Sequence, residues 1–148
     1  MSNTHFLLRA AGACALGLAS LTSAMAHHNP PDGVVSIHYN RCDGNYDGWG
    51  AHLWKDGGIP LPGVEWQNPM MPAGKTDFGA YWDVKANEFG SNTKVNYIIH
   101  KGDTKDQGGR DMSFDGKATK EIYVNNGDRK IYTSLEDAKK ARAAEPCK

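Results

Sequence analysis

Turn-forming residues interrupt this chain so often that no long regular element has room to form. Its 148 residues include 17 Gly and 7 Pro. Several fall in steps that set tight turns, such as Asp43-Gly44 and Asp47-Gly48. The segments between are short and carry 4 Trp, 6 Tyr and 4 Phe, which favours short strands over long helices. The length suits one domain. Lys+Arg and Asp+Glu both number 17, so the basic excess that holds a nucleic acid is lacking. A mean hydropathy of -0.61 excludes a multi-pass membrane protein.

Residues 1–26 read apart from the rest. Arg9 is their one charge, Ala10–Ser23 is small and apolar, and Ala24-Met25-Ala26 supplies small residues for a cleavage site. This is the pattern of a secretory signal peptide, too short for a lasting span. Cys14 lacks the bulky residue and apolar run that precede a lipidated cysteine. Cleavage after Ala26 leaves His27–Lys148 in a secreted or periplasmic setting, with no membrane anchor expected. Cys42 and Cys147 then remain. An even count in an oxidising compartment suggests one disulfide. Closing so long a loop contributes about 4–5 kcal/mol on the chain-entropy model. Two free thiols, or pairing with another chain, are the alternatives. No Cys/His zinc spacing is present, and neither a metal nor a cofactor is expected.

Residues 27–33 read as a flexible lead-in, turn-rich at Pro30-Pro31-Asp32-Gly33. Val34–Asn40 (VVSIHYN) alternates as a strand, with Val35, Ile37 and Tyr39 on one face. Gly50–Trp54, Asp77–Lys85 and Lys94–His100 read as further strands. Glu121–Val124 and Lys130–Tyr132 read as a hairpin across Asn125–Asp128. Lys55–Gly63 and Lys101–Asp111 read as loops. Ser134–Ala144 is the one helix, with Ser134 and Asp137 as a capping pair, followed by a tail to Lys148. Its thin apolar content places it on the surface. Six or seven short strands over residues 34–133, with residues 134–148 as helix and tail, imply an all-β fold: an antiparallel β-sandwich with one short C-terminal helix.

The chemistry concentrates in Trp49-Gly50-Ala51-His52-Leu53-Trp54. Alternation sends Trp49, Ala51 and Leu53 one way, inward, and Gly50, His52 and Trp54 the other. If the second face meets solvent, the bare glycine leaves room beside two flat rings. Pyranose rings offer apolar C–H faces ringed by hydroxyls, so such a platform suits a sugar; the plainer reading makes Trp54 core. Partners for the hydroxyls stand in the loop: Lys101, Asp103, Lys105, Asp106, Arg110 and Asp111. The plainer reading of that loop is a solvated surface turn. Its carboxylates share one flexible segment, so no catalytic dyad of fixed separation is expected.

The runs VSIHYNR (35–41), DGNYDGWG (43–50) and HLW (52–54), then DFGAYW (77–82), IIHKGDTKD (98–106) and IYTS (131–134), closely resemble the pullulanase-associated domain of bacterial pullulanases, carbohydrate-binding module family 41. The resemblance covers nearly all of the mature chain. It implies an immunoglobulin-like sandwich and non-catalytic binding of α-glucans: maltooligosaccharides, amylopectin, pullulan or glycogen. It gives Trp54 as a stacking tryptophan and places His52 where some members have a second one. Lys105 matches a hydroxyl-binding lysine. Asp111 matches the family's aspartate across a spacing one residue longer than usual, with Asp106 as the fallback. Cys42 departs from the family pattern and Cys147 lies beyond it, which fits a bond between them. No glycoside hydrolase follows Lys148, so a free-standing binder, or a fragment whose enzyme partner lies elsewhere, is expected.

Three other readings compete. Cleavage would expose His27 as an N-terminal copper ligand, with His38, His52 or His100 as its partner, in a protein acting on or near glycans. A module for another polysaccharide is a second. A small secreted inhibitor that binds a glycosidase is a third.

Overall fold

The computed structural model describes residues 27–147; the segment read as a signal peptide and Lys148 lie outside the described residues. In chain order the elements are β1 (Val34–Asn40), β2 (Gly50–Lys55), β3 (Ile59–Pro60), β4 (Gly74–Lys75), β5 (Ala80–Lys85), β6 (Lys94–Lys101), β7 (Thr104–Lys105), β8 (Met112–Asp115), β9 (Glu121–Asn125) and α1 (Leu135–Ala144). They build two sheets. One runs β4-β5-β1-β9, and the other runs β3-β2-β6-β7 with β8 also on β6. The fold is the expected all-β sandwich with one short helix. One pairing is parallel, β1 with β9, where Ile37 lies opposite Ile122.

Alternation builds the core. Val35, Ile37 and Tyr39 of β1 meet Ala51 and Leu53 of β2, Trp82 and Val84 of β5, and Val95, Tyr97 and Ile99 of β6. Trp49 packs with them at 9% exposure, the inward direction its parity implied. The Trp82 indole N–H, sealed in the core, donates to the Met70 carbonyl at 2.7 Å.

Some segments differ from the sequence reading. The strand read from Asp77 begins at Ala80. Gly79 has φ +156, and a Cβ there would collide with the Tyr39 carbonyl, so the chain joins β1 only through a glycine. The hairpin read at Lys130–Tyr132 shrinks to one bridge, Tyr123 with Tyr132. The Asp128 carboxylate takes the Lys130 N–H at 2.9 Å and the Tyr132 hydroxyl at 2.7 Å, holding the chain in a turn. The Lys55–Gly63 stretch contains β3, and the Lys101–Asp111 stretch contains β7 and a 3-10 turn at Gln107–Gly109.

The two outer faces are treated unequally. The Ser134 hydroxyl caps α1 by accepting the Asp137 N–H at 3.1 Å. The helix lays Ala138 against Phe78, Tyr123 and Tyr132, over the β4-β5-β1-β9 sheet. The expected disulfide, Cys42–Cys147, ties the chain after the helix to the turn after β1, with Cα atoms 5.4 Å apart. On the same sheet His28 stacks on Tyr81 at 3.9 Å and reaches Asp83 at 2.8 Å. His38 lies beneath, 1% exposed, stacked on Tyr123 at 4.7 Å and bonded to Glu121 at 3.1 Å. That face is closed; the outer face of the other sheet stays open.

Asp106 pins the loop at the end of the sandwich. One carboxylate oxygen accepts the Tyr39 hydroxyl. The other accepts the N–H of Gln107 at 2.6 Å and of Gly127 at 2.7 Å. Burial first, and this carboxylate second, push the Tyr39 hydroxyl's pKa well up, so it stays a donor. Asp106→Ala strands a buried hydroxyl and two N–H groups, and should lower unfolding free energy by about 2–4 kcal/mol in urea denaturation. A loss under about 0.5 kcal/mol would show that the loop is held by other means.

His38 sets a pH dependence. Burial, with His28 and His27 nearby, holds its pKa below the ordinary 6.5 against the pull of Glu121. The unfolded chain therefore takes up the proton first. The stability contribution is complete above pH 6.5 and drains away as the pH falls through the folded-state value. Denaturation midpoints should be level above about pH 7 and decline below about pH 6.5, with a shallower decline in His38→Gln. Equal slopes in both proteins would place the titrating group elsewhere.

Candidate functional site

Strand register lays out the open face. Trp54 pairs with Asn96, His52 with Ile98, and Gly50 with His100. Ala51, Leu53, Tyr97 and Ile99 fill the core, so these six point outward. β7 adds Lys105 opposite His100, and β8 adds Ser113 opposite Asn96. Asp111, exposed, directly precedes β8 and acts through space on His52. The fold thus gathers His52, Trp54, Lys105 and Asp111 on one side of one sheet. Asp106 does not join them, because both its oxygens are engaged by Tyr39, Gln107 and Gly127.

The platform has a third ring that the sequence reading missed. Trp66, in the loop between β3 and β4, lies flat on His100 with ring centres 3.9 Å apart and planes 5° apart. Its indole N–H donates to Asp103 Oδ1 at 3.2 Å, and the Lys105 ammonium sits 5.1 Å over its ring. His52 joins the two indoles, 5.6 Å from Trp54 at a tilt of 32° and 5.6 Å from Trp66 at 67°. The rings run Trp54, His52, Trp66 without sharing a plane. Trp49 and Trp82 are buried, whereas Trp54 and Trp66 keep part of their surface in water. A signal was present: Trp66 stands in a polar, proline-bounded stretch, GVEWQNP (63–69), with no strand alternation to bury it.

Gly50 serves differently from the sequence reading. A Cβ there would lie 2.6 Å from Pro69 Cγ, so the space above the glycine is filled by the Trp66 loop. Gly50 lets that loop close down and set the indole on His100.

Electrostatics favour the neutral form of His52. Burial first, then His100, hold the His52 pKa below 6.5, against the Glu65 backbone and Asp111. His100 is fully buried and its Nδ1–H donates to the Gly102 carbonyl at 2.8 Å. The copper reading drew on His27 with His38, His52 or His100. His27 lies near His38, ring centres 6.4 Å apart, while His52 and His100 belong to the other sheet. Among the described residues no group of three or more His, Cys, Asp or Glu is arranged to hold a metal ion. None of their helices is long and apolar enough to cross a membrane.

Comparison with known proteins agrees with this architecture. Over 70 residues the chain is 41% identical to an alpha-amylase of Streptomyces lividans, covering 47% of this chain and 7% of the amylase. Family 41 carbohydrate-binding modules from streptococcal virulence factors, solved for their alpha-glucan recognition, superpose with a TM-score of 0.60 at 25% identity. The match covers 73% of this chain and 50% of theirs. A multi-modular glycogen-degrading pneumococcal virulence factor, in a product complex, matches with a TM-score of 0.59 at 26% identity over 72% of this chain and 11% of its own. Klebsiella pneumoniae pullulanase shares the fold at 19% identity, with a TM-score of 0.63, over 82% of this chain and 12% of its own. The chain thus spans half or less of each of these proteins. The model of the bacterial pullanase-associated domain matches residues 33–133, a span that takes in both sheets and every ring of the platform, and the chain belongs to that family.

Proposed function

We propose that this chain binds α-glucans without transforming them: maltooligosaccharides, amylopectin, pullulan or glycogen. The observation that carries the reading is the row of Trp54, His52 and Trp66 left open on one sheet, with the Lys105 ammonium beside it. Each indole offers a sugar's C–H face an apolar surface while its rim stays wet. Lys105 donates to hydroxyls and Asp111 accepts from them, so adjacent hydroxyls of one sugar are gripped by complementary charges. The tilts of 32° and 67° turn successive rings away from one plane. An α-1,4-glucan curves and follows such a bend; a flat β-1,4-glucan ribbon does not. The streptococcal modules described for alpha-glucan recognition support the same ligand class. The disulfide suits an oxidising compartment, which agrees with action outside the cytoplasm, where a glycoside hydrolase is the natural partner.

Little surface is buried in so open a site, so affinities should fall between micromolar and millimolar. Trp54→Ala and Trp66→Ala should each weaken maltotriose binding at least tenfold, or about 1.4 kcal/mol, in calorimetry. The protein should be retarded in native gels containing amylopectin and run freely in gels containing hydroxyethylcellulose. Retardation by the cellulose derivative alone would assign the platform to another polymer. A folded Trp54→Ala protein of unchanged affinity would move the site off this face.

A further inference from the structure

Beyond the edge of Trp66 the surface drops into a cleft of about 520 Å³, within the roughly 300–1,000 Å³ typical of small-ligand sites. It shares Trp66 and His100 with the platform and is lined also by Gln67, Pro69, Met71 and Asp103. Three features of its wall have no structural use. Met71 is 52% exposed, one of only two large hydrophobic side chains so open among the described residues. The Gln67 amide has no partner among the described residues, nor does the Asp103 oxygen that Trp66 leaves free. Apolar surface, an amide and a carboxylate oxygen together match a sugar, with its C–H face and its donating and accepting hydroxyls. The indole is oriented so that its N–H edge meets Asp103, so a chain lying across the ring face runs over that edge toward the cleft.

We infer that this cleft is an additional glucosyl subsite, occupied only by chains long enough to cover the platform and continue past Trp66. The inference rests on the α-glucan reading of the platform. Met71 packs on the sugar's apolar face, and Gln67 and Asp103 bond its hydroxyls. The site is therefore longer than its rings and selects for chain length.

Calorimetry with maltose and maltotetraose tests this, alongside the methyl NMR signal of Met71, assigned by its loss in Met71→Ala. Wild-type protein should prefer maltotetraose about tenfold. The Gln67→Ala/Met71→Ala double variant alters two solvent-facing side chains. It should bind maltose as wild type does, with its preference for maltotetraose cut to about twofold or less. The Met71 methyl signal of the unaltered protein should move with maltotetraose and stay still with maltose. A preference that survives in the double variant, or a methyl signal that maltotetraose leaves in place, overturns the subsite while the platform stands. If wild-type protein binds neither sugar, platform and subsite fall together.

Discussion

Hydrogen bonding of β2 to β6 in one register governs both the stability of this molecule and its recognition surface. With Leu53 opposite Tyr97 and His52 opposite Ile98, Ala51, Leu53, Tyr97 and Ile99 enter the core. The same step turns His52, Trp54 and His100 outward. A slip of β2 by one residue would exchange its two faces, turning His52 and Trp54 into the core and Leu53 out of it. Each buried Leu-sized side chain is worth about 1.5–3 kcal/mol, so the register is strongly specified. The platform inherits its position from that core.

The asymmetry of the two outer faces follows from what each carries. On the β4-β5-β1-β9 sheet the outward Tyr123, with Phe78 and Tyr132, is covered by Ala138 of α1, and the disulfide fastens the chain beyond the helix to the turn after β1. Polar groups on that side, His28 with Asp83 and His38 with Glu121, are paired as they are covered. The β3-β2-β6-β7 sheet carries the Lys105 ammonium and the Asp111 carboxylate at its rim. Covering those charges would cost their hydration without a partner in place, so the rings beside them stay in reach of solvent.

The sheet positions were legible because they depend on local alternation. Trp54, His52 and the inward Trp49 were all placed by the parity of one six-residue strand. The family pattern located Lys105 and Asp111, which no periodicity marks. What escaped the sequence depends on contacts distant in the chain. Trp66 is fixed by its stack on His100, 34 residues away, under a loop that Gly50 allows to close. Asp106 looks like Asp103 or Asp111 in the sequence; only the fold brings Tyr39 and Gly127 to it. The pairing of β1 with β9 is likewise non-local and parallel, outside the reach of turn signals. At Lys130–Tyr132 the residues read as a strand, but the Asp128 side chain takes the Lys130 N–H and holds the chain out of the ladder.

The mixed origin of the platform has a physical consequence. By the family resemblance His52 stands where some members have a second stacking tryptophan, and an imidazole offers less area than an indole. Trp66 supplies the missing area from a loop, and a loop would normally spend binding energy on being ordered. Here that cost falls before any ligand arrives: the indole is clamped by His100 beneath, Asp103 at its edge and Lys105 above. On the proposed reading, a sugar stacking on Trp66 would meet a ring already oriented and would have to displace only the lysine, whose three donors would then turn to the sugar's hydroxyls. The ammonium that protects the indole in water becomes, on the α-glucan reading, the first polar group its ligand encounters.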